Sequence, residues 1–285
     1  MLSTLFRFGP FAIHSYGLMI AIGFLVGLHY IQRDAKQRLD IDPEIIGTMA
    51  LWALILGIIG TRLLHIIMFP EAYSWSDPVG WIAIWKGGLV FQGVFPFVLL
   101  YGVYATRKYK IPFWATADCV MPYLALAHGL GRVGCFLNGC CYGKRTDLPW
   151  GIPFPRVPYD LAQPPTGSPV FIDQWSPYNE LANSYWSHPV HPTQLYGVIG
   201  LVALSAILLF LRKHWRPFDG FTFPVYFILY GAGRVFVEFF RGDHNPTSFG
   251  MLSQQQVFSL FFMAAGVVIF VLLRAHFQGK ESAAR

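Results

Sequence analysis

The 285-residue chain is 54% hydrophobic and only 13% charged, with a mean hydropathy of +0.45 and a formal net charge of +6. Soluble domains carry about 25% charged residues. Half that share, gathered between long apolar runs, excludes an ordinary soluble domain and describes a polytopic membrane protein. No Lys/Arg run or zinc-finger spacing marks a nucleic-acid binder. The first 32 residues carry one charge, Arg7, and lack the basic start and small-residue cleavage site of a signal peptide. Four cysteines, three of them within seven residues, do not make a secreted disulfide scaffold.

In chain order, the apolar segments predict seven helical spans, at about 14–32, 45–68, 88–105, 114–135, 191–211, 220–240 and 253–273. Each can supply the ~20 residues that a bilayer crossing needs. Helices satisfy their own backbone groups in lipid, so runs this long and apolar are read as helices. Arg33, Lys36 and Arg38 follow the first span, Arg107, Lys108 and Lys110 the third, Arg212, Lys213 and Arg216 the fifth, and Arg274, Lys280 and Arg285 the seventh. The alternate side holds Lys86, Lys144, Arg145, Arg156 and Arg241, a ratio of 12 to 5 that predicts an outside N-terminus and a cytoplasmic C-terminus. Between spans four and five lies the one long polar excursion, residues 139–190. Pro149, Pro153, Pro155, Pro158, Pro164 and Pro165 forbid a long helix there. Its Trp and Tyr residues favour the headgroup zone, which predicts a small ordered extracytoplasmic head. The expected fold is an all-α polytopic membrane protein, a single domain over 1–285 with this head inserted.

Removing the loop charges leaves Arg62, Asp118, Arg132, Arg234 and Glu238 inside spans. A charge at the centre of a bilayer helix costs about 2.5–3.5 kcal/mol on insertion scales. Asp118, Ala125, His128, Arg132 and Cys135 share one face of span four, while Tyr226, Tyr230, Arg234, Glu238 and Arg241 form one stripe on span six. Arg234 and Glu238 can pair at i, i+4. Gly129, Gly131, Gly134, Gly231 and Gly233 let neighbouring backbones approach. Two readings stay open. Asp118 and Glu238 could neutralise two arginines and hold the bundle together. Alternatively, three arginines against two carboxylates leave a cationic excess that calls for an anion, and a phospholipid headgroup is the anion at hand. Guanidinium grips phosphate with two parallel hydrogen bonds.

These residues sit in blocks that resemble the prolipoprotein diacylglyceryl transferases of bacteria: HSYGLM (14–19), GTRLLHIIMF (60–69), WKGGLVFQG (85–93), HGLGRVGCFLNGCCYG (128–143), HPTQLYG (191–197) and YGAGRVFVEFFR (230–241). The resemblance covers nearly the whole chain in order. It implies a multi-pass enzyme of the bacterial cytoplasmic membrane. Such enzymes move the diacylglyceryl group of phosphatidylglycerol onto the lipobox cysteine of a prolipoprotein; a thioether forms, glycerol phosphate leaves, and neither metal nor cofactor is needed. By the same resemblance Arg132 and Arg234 are the essential arginines, suited to hold a phosphodiester and to stabilise charge on the leaving phosphate. Tyr16, Asn138, Gly143, Tyr230 and Glu238 match positions around the headgroup, and Arg241 a basic position at the outer end of span six. Gly88 is expected to let the chain turn beside the headgroup. His191 and Gln194 start span five and are expected to support the head or the headgroup.

One well-known branch of that family has a histidine, proposed as general base, where this chain has Gln92. Neutral Gln accepts no proton, so the role falls to another group or is dispensable. His128, one turn before Arg132, is the candidate, because a neutral imidazole there is free to accept a thiol proton; Glu238 is the other, though a carboxylate paired with Arg234 is a poor base, and for His128 a small polar interhelical contact is the alternative. Cys135, Cys140 and Cys141 stand where that branch has Asn, Glu and a large apolar residue. Their spacing matches no common zinc or iron–sulfur motif. A Cys135–Cys140 disulfide or plain packing at a tight helix end is expected instead. A midplane anion transporter and a repurposed relative are the competing classes; the first predicts two related halves, which the chain lacks.

Overall fold

The computed structural model describes residues 4–8, 11–74, 76–84, 87–157, 168–176, 178–243 and 252–283; Lys86, Pro158, Pro164, Pro165 and Arg285 lie outside these. The chain begins with a two-stranded antiparallel hairpin, β1 (Thr4–Phe8) and β2 (Phe11–His14), ahead of a mostly helical fold. Helix α1 (Ser15–Leu39) follows directly. Asp40 then turns the chain at a positive φ of 51°. Asp42 caps α2 (Pro43–Met68) by accepting the Glu44 N–H at 2.9 Å, with Pro43 in the first turn where no N–H is needed. A short α3 (Pro78–Ile82) is capped by Asp77. Next come α4 (Val94–Lys108), α5 (Phe113–Asn138), α6 (Pro169–Gln174), α7 (Thr193–His214), α8 (Thr222–Glu238) and α9 (Gln254–Ala283).

Among the described residues five helices are long and apolar enough to cross a membrane: α1, α2, α5, α7 and α9. The other two expected spans are shorter than their apolar runs. Helix α4 has 15 residues and α8 has 17. The reason is local in α4: Gly87 and Gly88 hold positive φ and Phe91–Gly93 forms a 3-10 turn, so helical geometry starts only at Val94. These lengths fall below the ~20 residues of a full straight crossing.

The chain divides into two compact units, one of Met1–Gly27 with Ala117–Arg285 and one of Leu28–Thr116. In the second unit, α2 packs on α4 through backbone contact. A Cβ on Gly93 would stand 2.1 Å from the Gly60 carbonyl oxygen, so no larger residue fits. In the first unit, α5 meets the start of α1 where Gly134 lies against Tyr16, and α8 packs along α9 where Gly231 lies against Met263 and the Ser259 carbonyl.

The described residues of the head segment, 139–157, 168–176 and 178–190, contain no long helix. Isolated bridges pair Arg145 and Ile152 with Val190, and Pro155 with Trp186. Tyr142, Phe154, Val170 and Val190 make its apolar core. A further bridge, Gly143 to Arg241, ties the head to the end of α8: Lys144 N–H donates to Phe240 at 2.8 Å and Gly242 N–H to Tyr142 at 3.1 Å.

Candidate active site

The stripe on α8 forms as its spacing predicts. Arg234 Nη1 donates to Glu238 Oε2 at 2.5 Å, with side chains 11% and 3% exposed. The other carboxylate oxygen accepts the Ser253 hydroxyl at 2.7 Å. Ser253 is itself the cap of α9, because its Oγ accepts the Gln256 N–H at 3.2 Å while Gln256 Oε1 accepts the Ser253 N–H at 2.9 Å. This reciprocal pair is a capping box. Ser253 is thus a site residue that the sequence reading missed, although its S-x-x-Q signature was visible. Arg241 makes a two-pronged pair with Asp243, at 2.9 and 2.7 Å, and stands 3.9 Å from Glu238.

Facing this stripe from α5 are His128 and Arg132. The His128 and Tyr230 rings lie 5.5 Å apart, and Tyr230 stacks on Tyr226 at 5.6 Å. His128 is within electrostatic reach of both Arg132 and Arg234, and the two guanidinium groups are within reach of each other. The stem of Arg132 runs over Gly197 of α7, where an added Cβ would meet Cγ and Cδ at 3.5 Å. Tyr16 of α1 and Tyr230 both lie within reach of Arg132. Among the described residues no carboxylate pairs with Arg132, whereas Arg234 and Arg241 each have one.

The other two in-span charges behave differently from the expectation. Asp118 neutralises no intramembrane arginine. Its carboxylate accepts the Gly220 and Thr222 N–H groups and the Thr222 hydroxyl, all at 2.8 Å, with Arg216 at 3.5 Å. It therefore caps the start of α8, where orphan N–H groups and the helix dipole favour an anion. Arg62 keeps its charge but spends its donors on loop carbonyls. In the second unit its Nε donates to Trp81, Nη1 to Gly87 and Gly88, and Nη2 to Gly80, at 2.5–3.0 Å. Gly88 has room for no side chain there, since its Cβ would stand 2.6 Å from Arg62 Nη1. Of the three in-span arginines, Arg62 spends its donors on loop carbonyls and Arg234 faces Glu238, which leaves Arg132 as the one with neither kind of partner among the described residues.

His191 and Gln194 support the head. Gln194 Nε2 donates to the Cys140 carbonyl at 2.8 Å, Thr193 Oγ1 to the Cys141 carbonyl at 2.7 Å, and Gly143 N–H to the His191 carbonyl at 3.0 Å. The His191 ring bonds the Tyr196 hydroxyl at 3.1 Å, which also accepts Trp150 Nε1 at 2.9 Å. Asn138 closes α5. Gly88 and Gln92 belong to the unit of Leu28–Thr116; Arg132, Arg234 and the other expected site residues belong to the other unit. All four cysteines are free thiols, and the sulfurs of Cys135, Cys140 and Cys141 lie within 4.8 Å of one another.

Five helices long and apolar enough to cross a membrane, in a mostly helical fold, define a helical membrane protein. The family model of prolipoprotein diacylglyceryl transferase matches residues 3–272, and the chain belongs to that family. Three proteins named phosphatidylglycerol–prolipoprotein diacylglyceryl transferase are similar over more than nine-tenths of their length. That of Clostridium tetani is 33% identical over 95% of this chain and 97% of its own. That of Geobacter sulfurreducens is 33% identical over 94% of each, and that of Nitrosomonas europaea 32% over 97% of this chain and 91% of its own.

Proposed function

We propose that this protein transfers the diacylglyceryl group of phosphatidylglycerol to the cysteine thiol of a prolipoprotein. The observation that supports the chemistry is Arg132, a guanidinium without a carboxylate partner among the described residues, close enough to Arg234 for the two charges to interact electrostatically. Two such cations can grip one phosphodiester and stabilise the charge that develops as the phosphate departs. Among the bonds that the described residues make, Glu238 engages Arg234 through Nη1, and the other guanidinium nitrogens are available to a phosphate in this reading.

In this reading the lipid enters sideways from the bilayer and its phosphate rests on Arg132 and Arg234. Tyr16, Asn138, Gly143 and Tyr230 surround the headgroup, while Glu238 and Arg241 hold the arginines in place. Gly88 and Gln92 are assigned to the headgroup by the family's third-span motif alone. The lipobox cysteine attacks the glyceryl carbon; the C–S bond forms as the C–O bond to phosphate breaks, and glycerol phosphate leaves with the electron pair. His128 accepts the thiol proton. The chain crosses the bacterial cytoplasmic membrane seven times, N-terminus out and C-terminus in, as one domain with residues 139–190 as an outer head.

The test is transfer of radiolabelled phosphatidylglycerol to a lipobox peptide by the purified chain. Labelled peptide with release of glycerol phosphate supports the reading. Lipid movement without peptide labelling would make the protein a transporter, and neither would make it a repurposed relative.

A further inference from the structure

The end of α5 carries a side-chain cluster that the transfer chemistry does not use. Helix α5 stops in a turn whose two hydrogen bonds are specific: Cys140 N–H reaches back to the Cys135 carbonyl, and Gly139 N–H to that of Phe136, both at 3.2 Å. Gly139 stands between them at φ 75°. This is the Schellman ending, in which the residue after the left-handed glycine packs against the residue five positions before it. In this chain both of those residues are cysteine. Cys141 follows at φ 59°, a left-handed conformation that turns its side chain back. The result is three sulfurs within 4.8 Å of one another, Cys135 buried and the other two half-buried. The sequence spacing resembles no common metal motif because the helix ending, rather than a zinc-finger loop, gathers the ligands.

The cluster is held from outside as well. Gln194 and Thr193 of α7 clamp the carbonyls of Cys140 and Cys141. Cys141 lies within electrostatic reach of Arg241 and Arg132. Among the described residues no carboxylate or histidine joins the three thiols in the cluster.

From this arrangement we propose that Cys135, Cys140 and Cys141 form an all-thiolate site for a soft, closed-shell metal ion of the Cu(I) or Zn(II) kind. Soft thiolates select such ions, and a set without oxygen ligands disfavours Mg(II), Ca(II) and Mn(II). On binding, three S–H protons leave to solvent as three metal–sulfur bonds form, with no change of oxidation state. The resulting negative site lies within electrostatic reach of Arg241. The inference is independent of the transferase reading.

The experiment uses the full chain, purified in detergent, reduced and stripped with chelator. It is titrated with Cd(II) alone as the optical probe and, without air, with Cu(I). One equivalent of each binds, and Cd(II) produces sulfur-to-metal charge-transfer absorption. Cys140→Ser and Cys141→Ser each weaken Cd(II) by more than the roughly 10- to 100-fold that loss of a supporting residue costs. Cys119→Ser, within α5 but outside the cluster, leaves the titration unchanged. Should the serine variants fail to fold, the native chain still decides: Cd(II) protects Cys135, Cys140 and Cys141 together from N-ethylmaleimide, read by peptide mass spectrometry. Equal Cd(II) binding by both serine variants, undiminished alkylation under saturating Cd(II), or isolation of the chain with Cys135 bonded to Cys140 would each overturn the proposal.

Discussion

The two site arginines should fail in different ways. Arg234 is bonded to a carboxylate only 3% exposed, so Arg234→Ala strands that charge. Breaking a buried ion pair from one side costs about 3–5 kcal/mol. The Ser253 hydroxyl at 2.7 Å and Arg241 at 3.9 Å remain to Glu238, which places the loss near the lower end of that range. For a chain of this size that is a fall in melting temperature on the order of 5–10 °C. Arg132 has no such partner among the described residues. Arg132→Ala strands no carboxylate and removes a cation that repels two others, so only the packing of its stem over Gly197 is lost, about 1 kcal/mol.

In catalysis the ranking should vanish. Two charge-assisted hydrogen bonds to phosphate are together worth about 3–6 kcal/mol, or roughly 10²–10⁴-fold in kcat/KM if made in the transition state. Both alanine variants should lose at least the lower figure, while Arg132→Lys keeps the charge and recovers part of it. The assays are differential scanning in detergent and peptide labelling from radiolabelled phosphatidylglycerol, on the same preparations. If Arg132→Ala melts as early as Arg234→Ala, or labels peptide at a near-normal rate, the assignment of Arg132 as the unpaired, phosphate-binding cation is wrong.

Other consequences follow from the same geometry. Adding Glu238→Gln to Arg234→Ala removes the stranded charge and should restore most of the melting temperature without restoring transfer. His128→Gln should slow transfer by about 10²–10⁴-fold if the imidazole takes the thiol proton, and a near-normal rate would remove it as base. Gly93→Ala drives a methyl to 2.1 Å from the Gly60 carbonyl and should cost more than about 3 kcal/mol, read as loss of folded protein in membranes. In the head, burial and then the hydrogen bond to the Asp173 carboxylate hold the Tyr142 phenol above its ordinary value. The folded value is the higher one, so this contribution is complete below the ordinary phenol value of 10.0 and is lost as pH rises beyond it. Tyr142→Phe should therefore cost about 1 kcal/mol at neutral pH and flatten the alkaline fall in head stability, measured by proteolysis against pH.

What could be read from the chain was what is local. Arg234 and Glu238 are one turn apart, so helix geometry alone brings them together. The prolines of residues 139–190 forbade a helix, and the described part of that segment has no long one. The partners of Asp118 and Arg62 were not legible, because they lie 102 and 104 residues away for the first and 18–26 for the second. Periodicity places a charge on a face but does not say which backbone groups will meet it. The missed start of α4 has the same origin: hydropathy extends over residues 88–93, but positive φ at Gly87 and Gly88 serves the Arg62 loop rather than a helix.

Counting charges in spans therefore overstates the case for a ligand and accounting for their partners sharpens it. Five charged residues inside apolar runs invite the view that all are functional. Three of them have structural work that elementary chemistry explains. Arg62 saturates loop carbonyls, Asp118 caps α8, and Glu238 binds both Arg234 and the cap of α9. Arg234 is shared, with one nitrogen on Glu238 and the others uncommitted among the bonds the described residues make. Of the in-span arginines, Arg132 alone has neither a carboxylate nor loop carbonyls as hydrogen-bond partners among the described residues, and it lies within electrostatic reach of His128, Tyr230 and the second guanidinium. A cation in that position is costly until an anion arrives, so its persistence argues for a phosphate-bearing substrate more strongly than the number of charges does.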